Sequence, residues 1–329
     1  MRQFLTTLSL VWIAACIGAY VYSQQQHISS TVALAVLPAF LVELGFYLAP
    51  GFASVRKRFD ALGSKPQRAA LLTASGVIAY LIEALGTRTF HLVSFVELLA
   101  LVLVAAFWYV WTRRNILVDL LFLAFMAAVY LSKSFDHIFG QLGGQAAPHI
   151  ALGILGQLMW IRLGLMAVLS LGSLDDARFG FLPTKEEWRI GVQHSLFFLP
   201  IGAMLAYLVR LGQFRPHPLP WWRFGVVLVL TFWGMLWVVS LAEEFFFRAF
   251  LQRVIARGAQ SETVGLLVAA VLFGLAHLPQ RKFPNWRLAI VAGALGIFCG
   301  LSLLRARSVR ASMVTHALVA TTWRMFFSS

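Results

Sequence analysis

The chain has 329 residues, 60% of them hydrophobic and 12% charged, with a mean hydropathy of +0.79. That balance excludes a soluble domain, which needs a polar coat. The net charge is +14, yet the basic residues are scattered through short polar breaks and form no basic face interleaved with aromatics, so the partner they point to is anionic lipid and not nucleic acid.

In chain order, eleven apolar runs are long enough to cross a bilayer, each roughly 17 to 25 residues. They begin near Phe4, Ile28, Ala69, Leu92, Ile116, His149, Gly191, Arg223, Thr263, Leu288 and Ala311. All are expected to be helices. Lipid offers no hydrogen-bond partners, and the runs do not alternate as barrel strands do. The fold class is therefore all-α, a polytopic transmembrane bundle of about eleven spans. The first run follows Arg2 and resembles a signal peptide, but it lacks a clear small-residue cleavage site and reads as an anchor. Basic residues fall more often at the ends sharing a side with the N-terminus, which favours N-in, C-out for eleven spans. Cys16 and Cys299 both lie inside apolar runs. Such placement suits neither a disulfide framework nor a thiolate metal centre, and both read as packing residues.

Character changes at the loop GSLDDARFGFLPTKEEWRI, Gly172 to Ile190. It separates an N-terminal transmembrane region of unknown role, 1–171, from a C-terminal region, 172–329. The first holds isolated acids, Glu43, Glu83, Glu97 and Asp119, each costly in hydrocarbon unless neutral or paired. A transporter would use such acids, so transport is one alternative. In the second region the ionisable residues gather in three groups.

The first group is AEEFFFRAF. Residues four apart share a helix face, so Glu244 and Arg248 are expected to pair while Glu243 points about 100° away. The second is His277 in VLFGLAHLP, just before a proline. Taken alone, such a histidine is more often a polar tip at an interface than a catalyst. GAQSE, however, reads as the turn of a helical hairpin, and folding about Ala259 and Gln260 brings His277 to the depth of Ala242 and Glu243. The third is His316 in the last run, SMVTHALVATTW. Carboxylate and imidazole groups at one depth supply what hydrolysis needs: a base for water, a group to orient that water, and a donor for an oxyanion.

EExxxR at Glu243 to Arg248, FxxxH at Phe273 to His277, and the histidine His316 in the final helix resemble the three motifs of the CPBP family. This family comprises the CAAX prenyl endopeptidase and bacteriocin-processing proteins, also called Abi. AGALGIFCGLSLLRARSVRASMVTHAL resembles its Gly-rich helix, basic turn and histidine helix. The resemblance runs over roughly Asp176 to Phe326. It implies a glutamate protease of the membrane, multi-pass and expected in the bacterial inner membrane, acting on a membrane-associated or lipidated protein or peptide near its C-terminus or at a membrane-adjacent segment; prenylated C-termini, bacteriocin-like leader peptides and C-terminal sorting tails are all allowed. In that mechanism Glu243 activates water together with His277, Glu244 and Arg248 fix the helix, and His316 stabilises the oxyanion. The family pattern places Asn or a similar residue four after that histidine. This chain has Ala320 there, with Thr321 or Thr322 as the possible replacement donor. No cofactor is implied. A zinc ion held by Glu, His and His is the alternative chemistry, without HExxH spacing to support it, and a non-catalytic membrane scaffold is the alternative role.

Overall fold

The computed structural model describes residues 1–142, 150–172, 179–280 and 283–328. It is helical throughout, apart from a two-residue antiparallel pairing of Gln213–Phe214 with Phe327–Ser328. Part of the dividing loop (173–178), the start of one run at His149, and Arg281 and Lys282 lie outside the described residues. Among the described residues, eight helices are long and apolar enough to span a membrane, or nine if the bent pair Ile116–Leu131 and Ser134–Gly140 is one span. The expected eleven therefore contract, and the loop sides assigned by alternating eleven spans do not carry over. The run near Thr263 is the short helix Glu262–Ala276, of 15 residues. The last run falls short for a different reason. It carries Arg310, Ser312, Thr315, His316, Thr321, Thr322 and Arg324, and most of its length is buried in protein, where a helix needs no hydrocarbon coat.

The chain divides into two compact units, Met1–Asp175 and Asp176–Ser329. In the first, α1 (Arg2–Gln25), α2 (Ser30–Leu48), α3 (Ala53–Asp60), α4 (Lys65–Thr87), α5 (Leu92–Trp111), α6 (Ile116–Leu131), α7 (Ser134–Gly140) and α8 (Gly153–Met166) follow in order. Helix α1 buries only Ser23, and its Trp12 Nε1 donates to the Leu41 carbonyl of α2 at 2.7 Å. Two of the isolated acids are paired here. Arg162 grips Glu43 with two nitrogens, at 2.6 and 3.1 Å, and donates to the Ser75 hydroxyl and carbonyl. Asp119 receives Arg114 at 3.1 Å and the Tyr109 hydroxyl at 2.8 Å. Glu83 is fully buried, and neither of its oxygens has a hydrogen-bond partner among the described residues. Glu97 is exposed.

The second unit contains α9 (Lys185–Leu208), α10 (Trp221–Ala259), α11 (Glu262–Ala276), α12 (Trp286–Ala306) and α13 (Val309–Phe326). Its turns are written in capping residues. Thr184 and Glu187 form a capping box that opens α9, and Glu187 also receives Arg310 at 2.8 Å, tying the start of α9 to that of α13. Gln260 in the left-handed region ends α10, and Ser261 caps α11 at once, so GAQSE makes the tight hairpin its composition suggests. Asn285 and Ser308 cap α12 and α13. Phe198 and Ala206 of α9, Val291, Leu295 and Cys299 of α12, and Val319 of α13 form a buried apolar cluster.

Candidate active site

Glu243 and Glu244 lie on a short α-helical stretch of α10, Leu241–Glu244. It is flanked by two stretches with the wider i→i+5 winding, Met235–Ser240 and Phe245–Gln252. Such widened turns inside helices often accompany function. They reset which side chains share a face, and here the two glutamates part company. Glu244 is fully buried, while the Glu243 side chain is 27% exposed.

Glu244 is held on three sides. Arg248 Nε lies 3.2 Å from its Oε2, within ion-pair distance though not aligned as a hydrogen bond. The Ser312 hydroxyl lies 2.5 Å from the same oxygen and 2.8 Å from the Cys299 carbonyl, with one proton to give to one of them. His316 Nδ1 is 2.8 Å from Oε1. A carboxylate only accepts, so His316 is protonated at Nδ1 and turns Nε2 outward.

Glu243 is held by no such clasp. Its Oε2 is buried without a hydrogen-bond partner among the described residues. Two imidazole nitrogens face it, His316 Nε2 at 3.8 Å and His277 Nε2 at 4.0 Å. His277 Nδ1 lies 2.8 Å from the Phe273 carbonyl one turn back. A carbonyl also only accepts, so in the neutral ring Nδ1 donates and Nε2 offers a lone pair.

Phe273 fills the centre. Its ring centroid is 4.7 Å from that of His277 and 5.7 Å from that of His316, and the Arg248 guanidinium sits 4.6 Å over its face. Glycines on α11 and α12 let these groups meet. A Cβ on Gly274 would stand 2.6 Å from the Ala289 carbonyl oxygen, so α11 and α12 cross almost backbone to backbone just before His277.

The structure thus brings Glu243, His277 and His316 together and joins Glu244 to Arg248. The two threonines are placed otherwise. Thr322 donates to the Leu318 carbonyl of its own helix at 2.8 Å. Thr321 Oγ1 is buried without a partner, and no hydrogen bond or ion pair links either threonine to Glu243, His277 or His316 among the described residues. Glu244, Cys299 and His316 place one potential metal-ligating atom each within 4.8 Å of one another. These are not the Glu, His and His of the zinc alternative. Both Glu244 oxygens are already engaged, and the Arg248 cation lies against one of them, so the donor set fits a second cation poorly. Ser312 is a site residue that the motifs do not mark. Its signal is positional, one turn before His316 on the same face.

Comparison with protein families adds the deciding observation. The family model described as type II CAAX prenyl endopeptidase Rce1-like matches residues 225–322. This segment belongs to the CPBP family. The CPBP segment spans α10 to α13 and contains all three motifs. It is narrower than the resemblance drawn from Asp176, leaving α9 outside the match. No curated protein and no solved structure matches the chain significantly. CPBP membership implies a CAAX-type membrane protease with a protein substrate, and the apolar helices make the protein multi-pass.

Proposed function

We propose that the protein is an endopeptidase in which Glu243 activates a water molecule to cleave a membrane-associated or lipidated protein. Cleavage falls near the substrate's C-terminus, as in CAAX-type or C-terminal sorting-signal processing. One observation carries this reading: the Glu243 Oε2, which accepts no hydrogen bond among the described residues, lies 3.8 and 4.0 Å from two imidazole Nε2 atoms. Polar atoms at such separations are too far apart for direct hydrogen bonds and suitably spaced for a shared water.

The chemistry follows from the protonation pattern. Glu243 accepts a proton as the water oxygen bonds to the scissile carbonyl carbon, and that proton passes to the amine as the C–N bond breaks. His277 Nε2 accepts the water's other hydrogen as a hydrogen bond and orients the attack. His316 can donate from Nε2 only as an imidazolium, and its contact with the Glu244 carboxylate makes that form an ion pair. In that state it serves the oxyanion. Glu244, Arg248 and Ser312 hold the ring. The protease domain is 172–329, region 1–171 stands outside the chemistry, and no metal is needed. The likeness to bacteriocin-processing proteins favours the bacterial inner membrane.

The test uses the purified protein in lipid vesicles with a prenylated C-terminal peptide and a membrane peptide bearing a C-terminal tail. E243Q and H277A are each expected to abolish cleavage while the protein remains folded. Full activity in either would remove the mechanism.

A further inference from the structure

Four residues of α10, each four apart, form a buried polar stripe: Ser240, Glu244, Arg248 and Gln252, all at 1% exposure or less. Glu244 is satisfied, but further along the stripe partners run out. Beyond its ion pair with Glu244 and its place over the Phe273 ring, Arg248 makes one weak hydrogen bond, from Nη1 to the Ala269 carbonyl at 3.5 Å, and its Nη2 has no partner among the described residues. Gln252 has no hydrogen-bond partner at either amide atom among the described residues. A buried amide and a buried guanidinium edge are not left bare at equilibrium, because each unmet polar group carries the full cost of its desolvation.

Both groups abut the same face of α12. A Cβ on Gly296 would lie 3.2 Å from Arg248 Nη2, and one on Gly300 would lie 2.9 Å from Gln252 Oε1. The two glycines are one turn apart, as are the two polar residues. Arg248 Nη2, a donor, and Gln252 Oε1, an acceptor, therefore both lie against glycine backbone of α12, beside Ala270 and Leu266 of α11. Internal water occurs at such polar spots, where it makes two to four hydrogen bonds.

We propose that Gln252 is a positioning residue of the reaction, holding Arg248 in place through a bound water that bridges its amide to Arg248 Nη2 over Gly296 and Gly300. The proposal rests on the protease reading above. Arg248 fixes the Glu244 carboxylate, and Glu244 fixes the His316 ring, so the Gln252 amide acts on the site three contacts away.

The test compares Q252L with Q252E in the full-length protein in vesicles. Two readouts are used: kcat and KM on the prenylated peptide, and the imidazole nitrogen resonances of His316 in 15N-histidine-labelled protein. Leu matches the volume but not the chemistry, whereas Glu keeps an acceptor for the guanidinium. Q252L is expected to lower kcat about tenfold or more with KM unchanged and to shift the His316 resonances. Q252E should keep both near wild type. If Gln252 only fills space, the order reverses, since an apolar side chain is the better filler. Wild-type kcat and resonances in Q252L, or greater damage in Q252E, would overturn the proposal. Should Q252L fail to fold, Q252M makes the same comparison. E243Q, run in parallel, separates the two claims. An active E243Q defeats the protease mechanism, while the His316 resonances still report on Gln252.

Discussion

The two adjacent glutamates differ in what their removal should do. Glu244 neutralises a fully buried arginine. Breaking a buried ion pair by removing one partner typically costs about 3 to 5 kcal/mol, because the remaining charge is stranded. E244Q is therefore expected to lower unfolding stability in detergent by an amount of that order. E243Q, at a partly exposed carboxylate whose Oε2 accepts no hydrogen bond among the described residues, should leave stability within about 0.5 kcal/mol of wild type. Denaturant titration of both variants checks this, and equal stabilities would contradict the assigned division of labour. S312A removes the buried hydroxyl that lies between the Glu244 carboxylate and the Cys299 carbonyl and should cost about 1.5 to 3 kcal/mol. At Ala320, one turn beyond His316, the family's polar residue is missing. Because Thr322 is committed to Leu318, T322V should keep kcat within about twofold. A320N should raise kcat without changing KM, since an oxyanion contact forms in the transition state. Steady-state kinetics on the pair decide it, and a dead T322V beside a neutral A320N would place the missing donor on the threonine.

At the scale of elements, the hairpin of α10 and α11 and its contact with α12 set the geometry. The backbone approach at Gly274 is expected to be intolerant. G274A puts a methyl group 2.6 Å from a carbonyl oxygen, so α11 must shift, at a cost of about 1 to 3 kcal/mol. His277 follows three residues later, and even a small displacement of it should lower kcat by about 10². Melting and kinetics measured together test this, and an unaffected kcat would mean that the α11–α12 crossing does not set the position of His277. Much of this was legible beforehand. Glu244 and Arg248 pair because four-residue spacing is local, and GAQSE turns because Gln260 and Ser261 supply the ending and the cap. Ser312 was not legible, since it meets Glu244 across 68 residues and no helical periodicity reaches that far. The widened winding around Glu243 was equally hidden, as it leaves no mark in composition.

At the scale of the whole molecule, hydropathy reported the class correctly and overcounted the spans. Apolar runs do not report helix length: α11 exposes Val264, Leu267, Val268, Val271, Leu272 and Leu275 on one face, yet it has only 15 residues. The polar α13 shows the reverse, a helix sheltered by its neighbours. The first unit contains acids that a transporter reading would use, yet Glu43 and Asp119 are tied to Arg162 and Arg114. E43Q should destabilise the protein by about 3 to 5 kcal/mol, and the double variant E43L/R162M should recover most of that loss, since an apolar pair needs no compensation. Unfolding of the single and double variants is the check, and additive damage would show that the site cannot repack.

The central claim is that the Glu243 carboxylate activates the attacking water. The most direct test is kcat of E243Q on a prenylated C-terminal peptide in vesicles, with KM and melting recorded for the same preparation. The account predicts a loss of about 10³ or more in kcat with KM and melting unchanged. An E243Q enzyme that keeps kcat within tenfold of wild type would contradict it.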